Sequence, residues 1–177
     1  MLDGEKNIIQ RAIRGESSAF GQLYDHYMPM IYRFVLLKVG RREEAEDLTH
    51  QVFLSALQNI SGYKHLGHPF SSWLYKIARN SIIDNARTKK ETIPLYDLDM
   101  EPHIEPAIEK TLDLNKEFNS AMKAIGQLNE EQQNVVIMKF IEGFSHKEIA
   151  EALDKNEGAI RTIQHRAIIK LKKLLSV

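Results

Sequence analysis

Cysteine is absent from the 177 residues, so no disulfide can staple this chain and no thiolate can hold a metal in it. That absence fits a reducing compartment, and the chain is expected to be cytoplasmic. Long apolar runs are lacking too. No stretch approaches the roughly 18 to 20 residues a membrane span requires, and the opening "MLDGEKNIIQRAIRGE" has no signal-peptide core. The sequence contains no G-x-x-x-x-G-K-[ST] phosphate loop, no G-x-S-x-G elbow and no H-E-x-x-H pair. No nucleophile–base pairing stands out, so the chain is not read as an enzyme. His65 and His68 form an H-x-x-H without a cysteine or nearby carboxylate, and neither a metal nor a cofactor is expected.

An excess of charge is also missing: 24 Lys and Arg stand against 24 Asp and Glu. The balance is uneven along the chain. Residues 1–90 hold 13 basic and 9 acidic residues, and residues 110–177 hold 11 and 9. Between them, residues 91–109 carry six acids and no Lys or Arg. Three of the five prolines, Pro94, Pro102 and Pro106, fall there as well. Proline stops helix continuation and biases its predecessor toward extended backbone, so this segment reads as a linker.

Elsewhere glycines are few, period-two alternation is missing, and apolar residues recur at helical spacing. The pattern predicts helices over 4–14, 17–38, 42–59, 69–87, 111–126, 130–141, 145–153 and 157–174. The expected fold is all-α: two small helical domains, 1–90 and 112–177, joined by an acidic, proline-containing linker over 91–111. A hydrophobic content of 43% is enough to give each a core.

The stretch "SHKEIAEALDKNEGAIRTIQHR" (145–166) has the layout of a helix-turn-helix. Ser145 and Glu148 form a capping box, and Asn129 with Gln132 offers a weaker one. Asn156 is placed to cap the second helix. Ala150 supplies the small residue where two steeply crossed helices touch. Ile149, Leu153, Ile160 and Ile163 fall where they would lock the angle, with Phe140, Ile141 and Phe144 closing the core from the preceding helix. Asp154 sits where the turn wants positive φ, which Asp tolerates moderately well, and Lys155 stands where an apolar residue is common. Arg161, Thr162, Gln164, His165 and Arg166 then face outward or flank a DNA groove. Arg pairs with guanine, Gln with adenine, and Thr with a phosphate or a thymine methyl. Lys170, Lys172 and Lys173 would lie near phosphates. The competing reading is an amphipathic helix with a solvated basic face.

A second constellation lies upstream. In "EEAEDLTHQVFLSALQNI" (43–60), Ala45, Leu48, Val52 and Ala56 form an apolar stripe, while Asp47, His50 and Gln51 leave a polar face. In "PFSSWLYKIARNSIIDNARTKK" (69–90), Leu74, Ile77, Ala78, Ser81 and Ile82 make the buried side. Trp73, Lys76, Asn80, Asp84 and Arg87 fall on another stripe, with Arg79 beside it. A ring among amides and cations suits an unstacked single strand: bases stack, cations hold phosphates, and the amide reads base edges. Tyr75 and Phe70 are candidates for further stacking surface. A Trp beside a helical core is more often a core residue.

Together these stretches resemble bacterial RNA polymerase sigma factors of the extracytoplasmic-function group. "FSSWLYKIARNSIIDNAR" is similar to that family's W-L-x-x-I-A-R-N-x-x-x-D-x-x-R pattern, "AEDLTHQVFLSAL" to its region-two clamp-binding helix, and "IEGFSHKEIAEAL…GAIRTIQHRAIIKL" to its region four. The resemblance implies that region two binds polymerase core through Asp47, Gln51 and Phe53. It implies that Trp73, Lys76, Arg79, Asn80, Asp84 and Arg87 belong to the helices that melt and hold the minus-10 element. Region four would bind the polymerase flap and read the minus-35 duplex through Arg161, Thr162, Gln164, His165, Arg166 and Lys170. Ile163 departs from the family, which often has a basic residue there. The implied partners are the clamp and flap of RNA polymerase core, promoter DNA and an anti-sigma factor. The acidic linker would thread the polymerase's basic interior, which accounts for the neutral total. A stand-alone helix-turn-helix repressor and a polymerase-bound decoy are the rival readings.

Overall fold

The computed structural model describes residues 4–64, 69–89 and 120–175. The linker expected over 91–111, the His65/His68 pair and residues 111–119 of the helix expected over 111–126 lie outside the described residues. Every regular element among the described residues is helical, and the chain divides into two compact units. The first contains α1 (Glu5–Ile13), α2 (Ser17–Val39), α3 (Arg42–Asn59), a 3₁₀ turn over Ile60–Gly62 and α4 (Phe70–Lys89). The second contains the helical residues 120–126 (α5), α6 (Glu130–Val136), a wide π turn over Ile137–Ile141, α7 (His146–Ala152) and α8 (Glu157–Leu174).

In the first unit α2 supplies Leu23, Tyr27, Ile31, Phe34 and Val35 to the core, a spacing that keeps one face inward. Against it α3 buries Ala45, Leu48, Val52, Phe53 and Ala56, and α4 buries Phe70, Leu74, Tyr75, Ala78 and Ile82. Aromatic edges lock the layers: Phe34 meets Tyr75 with ring centroids 5.0 Å apart, and Tyr24 meets Phe53 at 4.8 Å. Gly40, at φ 72°, ends α2 in the left-handed conformation that glycine adopts without strain. The start of α3 is tied to α4 through Glu44, which accepts from Arg41 (3.0 Å) and from the Asn85 amide (2.5 Å).

In the second unit short helices depend on side-chain caps. Asn129 and Gln132 form the full capping box. Ser145 Oγ accepts from the Glu148 N–H at 3.2 Å while Glu148 accepts from the Ser145 N–H at 2.7 Å. Asn156 Oδ1 accepts from the Ala159 N–H at 2.8 Å. Asp154 takes φ 52°, the one positive φ among the described non-glycine residues. Lys155, polar where an apolar residue is common, pairs with Glu131 of α6 at 2.7 Å. Ile149, Ala150, Leu153 and Ile160 are buried and Ile163 is half-buried, matching the helix-turn-helix reading.

One expectation fails here. Phe140 does not close the core; it is 58% exposed, while Phe144 is buried and Ile141 half-buried. The reason is the π turn, in which the Glu142 N–H bonds the Ile137 carbonyl five residues back. The wider turn takes residue i+3 out of line with residue i, so Phe140 leaves the inner face that Ile137 occupies.

The cap on α8 gives a measurable consequence. Asn156→Ala should lower the unfolding free energy of the second unit by about 1 kcal/mol, and Asn156→Asp should retain most of it. Chemical denaturation followed by circular dichroism checks this.

Candidate nucleic-acid interface

On α4 the buried residues settle which side faces out. Trp73 is half-buried, in tilted contact with Tyr63 (centroids 5.1 Å) and Phe70 (5.3 Å). Phe70 in turn meets Tyr27 at 5.7 Å, and the Tyr27 hydroxyl donates to the Glu5 carboxylate. Burial, with the adjacent Glu5 carboxylate, pushes the Tyr27 hydroxyl well above the usual tyrosine range, so it remains a donor. The indole is thus propped at its base by a packed aromatic stack while part of it stays open. Lys76 is half-buried on the same side, Arg79 is half-buried beside it, and Asn80, Asp84 and Arg87 are exposed. Asp84 and Arg87 are one turn apart and 3.8 Å from each other. The structure therefore brings all six predicted residues onto one helix. Phe70 and Tyr75, considered as extra stacking surface, are instead core residues at 1% and 0% exposure.

On α3 Asp47 and Gln51 are exposed, with His50 beside them. Phe53 corrects the sequence reading: it is buried against Tyr24 and holds α3 to α2, so it cannot itself meet a partner. Two residues missed by the sequence reading share the outer side of α3. Leu54 and Leu57 are 56% and 48% exposed, large apolar side chains left in water. Their signal was present, since both fall off the Ala45–Leu48–Val52–Ala56 stripe.

On α8 Ile160 and Ala167 are buried, which turns Arg161, Thr162, His165 and Arg166 to solvent. Arg161 is paired loosely with Glu157 at 3.5 Å, and Thr162 Oγ1 donates to the Gly158 carbonyl at 2.9 Å. Two predicted DNA contacts have partners within the second unit. Lys170 Nζ donates to the Gln127 carbonyl just past α5, 2.5 Å away, which ties α8 to that end while the ammonium stays exposed with two further donors. Gln164 is half-buried, and its Oε1 lies 2.5 Å from His146 Nε2. The contact turns the Gln164 amide oxygen toward α7. Lys172 and Lys173 are exposed. Among the described residues no group of His, Asp and Glu is arranged to hold a metal ion. No described helix is long and apolar enough to cross a membrane.

Comparison with known proteins places both units. Residues 23–92 match the family model for sigma-70 region 2, and residues 118–171 match that for sigma-70 region 4. The chain is 36% identical over 170 residues to the ECF RNA polymerase sigma factor BldN of Streptomyces coelicolor, covering 95% of this chain and 64% of that relative. It is 30% identical over 183 residues to the ECF RNA polymerase sigma factor SigW of Bacillus subtilis, covering 96% of both. Two solved structures share the fold. CnrH, solved in complex with the cytosolic domain of CnrY, superposes with a TM-score of 0.74 at 20% identity over 97% of both chains. The sigma factor RpoE of Bartonella quintana, solved with the anti-sigma factor NepR, gives 0.69 at 24% identity over 89% of this chain and 97% of that one. With region 2 and region 4 matched in order and a relative aligned over nearly its whole length, the chain belongs to the sigma-70 family, in its extracytoplasmic-function group.

Proposed function

We propose that this sigma factor binds RNA polymerase core, recognises minus-35 and minus-10 promoter elements, and promotes melting of the DNA. The observation that carries the reading is the outer side of α4, where a propped, partly open Trp73 lies among Lys76, Arg79, Asn80, Asp84 and Arg87. A half-open indole offers a stacking face to an extruded base, and the cations beside it hold the strand's phosphates. The outer side of α3, with Asp47, Gln51, Leu54 and Leu57, is the surface assigned to the polymerase clamp. Exposed Phe140 is the apolar contact assigned to the flap. The helix-turn-helix reads the minus-35 duplex through Arg161, Thr162, His165 and Arg166. An anti-sigma protein completes the proposed set of partners, as NepR does for RpoE in the solved complex.

The charge pattern supports this division of labour. A chain with 24 basic and 24 acidic residues gains little from counterion release on its own. In this proposal the polymerase supplies most of the DNA affinity, and the sigma factor supplies selection.

Multi-round transcription with core polymerase on a pooled promoter library tests the reading. Wild-type protein should create defined start sites, and Trp73→Ala with Asn80→Ala should abolish them while core binding persists. Start sites that survive the double substitution would contradict it. Within region four, Arg166→Ala should reduce the slope of holoenzyme affinity against salt by about one ion on a selected promoter.

A further inference from the structure

Glu5 places a carboxylate where a core would ordinarily take an apolar residue. It is 9% exposed at the start of α1, on the helix that also buries Ile8, Ile9 and Ala12, and its carboxylate accepts the Tyr27 hydroxyl. Burying a carboxylate is costly unless it is hydrogen-bonded. Apolar packing is non-directional, whereas a hydrogen bond fixes where its donor sits. The contact therefore sets the position of the far end of the Tyr27 ring. Tyr27 bears on Phe70 with centroids 5.7 Å apart, and Phe70, Tyr63 and Trp73 touch one another pairwise at 5.2, 5.1 and 5.3 Å. α1 also packs against the 3₁₀ turn Ile60–Gly62, whose Ile60 carbonyl accepts from the Tyr63 N–H at 3.0 Å. The ring cluster is thus reached from α1 by two routes, Tyr27 to Phe70 and the turn to Tyr63. Glu5 and the rest of α1 lie outside residues 23–92, the segment matched to region 2.

We infer that Glu5 is a positioning residue for strand separation: by holding Tyr27, it keeps the Tyr63–Phe70–Trp73 cluster in the arrangement that leaves the indole half-open to an extruded base. This rests on the reading of the outer side of α4 as the face that holds a separated strand. A stacking platform works only if its ring is held at the right tilt, and Trp73 takes its tilt from the two rings it touches. One of those rings, Phe70, rests on Tyr27, whose hydroxyl is anchored by Glu5. An apolar residue at position 5 would fill the same space without fixing that hydroxyl. Glu5 acts through other side chains and is not itself a DNA contact.

Trp73 is the only tryptophan of the chain, so indole fluorescence of the full-length protein reports this cluster alone. Glu5→Leu should raise the acrylamide quenching of Trp73 in the folded protein. In holoenzyme it should lower permanganate reactivity of minus-10 thymines by about fivefold, the lower end of what one base-stacking contact is worth. Core binding should be unchanged. Glu5→Gln, whose amide oxygen still accepts from the Tyr27 hydroxyl, should keep both readouts at the wild-type level. Tyr27→Phe removes the other partner and should reproduce the Glu5→Leu result, and the double substitution should add nothing further. Thermal melting identifies any variant that fails to fold; if Glu5→Leu does, Tyr27→Phe decides. A role limited to stability would lower the melting temperature without altering the indole of the folded protein. Wild-type quenching in folded Glu5→Leu or Tyr27→Phe would overturn the inference, as would altered quenching with undiminished melting, or a Glu5→Gln variant as defective as Glu5→Leu. If wild-type holoenzyme opens no promoter, the proposed function fails, and the quenching comparison still decides whether Glu5 sets the position of Trp73.

Discussion

The burial of one side of α4 is the constraint from which the rest of the first unit follows. Phe70, Leu74, Tyr75, Ala78 and Ile82 are packed against α2 and α3 at between 0% and 6% exposure. At about 1.5 to 3 kcal/mol for each large apolar side chain removed from water, this face is worth on the order of 10 kcal/mol. No rim contact on the opposite side approaches that value. Turning α4 by a single residue would rotate it about 100° and return much of that surface to solvent. The core therefore dictates where Trp73, Lys76, Asn80, Asp84 and Arg87 point, and the Glu44–Asn85 hydrogen bond fixes the far end of the same helix. A stripe supported this way is held in place by the core, and under the proposed function that lowers the ordering cost of gripping a strand.

The second unit solves a different problem. Its helices α6 and α7 are seven residues each, too short to persist on propensity alone. Side-chain caps at Asn129, Ser145 and Asn156 satisfy orphan N–H groups at each start, and a left-handed Asp154 makes the turn between α7 and α8. Polar ties then set the helices against each other: Lys155 to Glu131, Lys170 to the carbonyl of Gln127, and His146 to Gln164. The residues left free on α8 are the remainder after these ties are made.

Much of this was legible beforehand, because helical periodicity and capping chemistry are local. The α3 stripe of Ala45, Leu48, Val52 and Ala56 and the inward Ile160 follow from spacing. The three caps follow from residue type at a helix start. What escaped the sequence reading depends on contacts between distant residues. Phe70 and Tyr75 looked like surface candidates because an aromatic residue suits a core as well as a stacking platform, and Phe53 was carried over from the family resemblance. Only the packing of Phe53 on Tyr24 and of Tyr75 on Phe34 decides between the two. Phe140 was assigned inward on an unbroken helical period, which the π turn at Ile137 breaks. Gln164 and Lys170 were read as DNA contacts, and their partners sit 18 and 43 residues away. Leu54 and Leu57 could have been identified, since an apolar residue off the buried stripe is a surface signal.

The most direct test of the central claim, that the outer side of α4 holds a separated strand, is permanganate reactivity of promoter thymines in complexes of core polymerase with this sigma factor. Wild-type holoenzyme should make thymines within and just downstream of the minus-10 element reactive, and Trp73→Ala with Asn80→Ala should return them to the duplex level while core binding is retained. Equal reactivity in wild type and the double variant would contradict the account, because melting would then not depend on the face of α4 that the core turns outward.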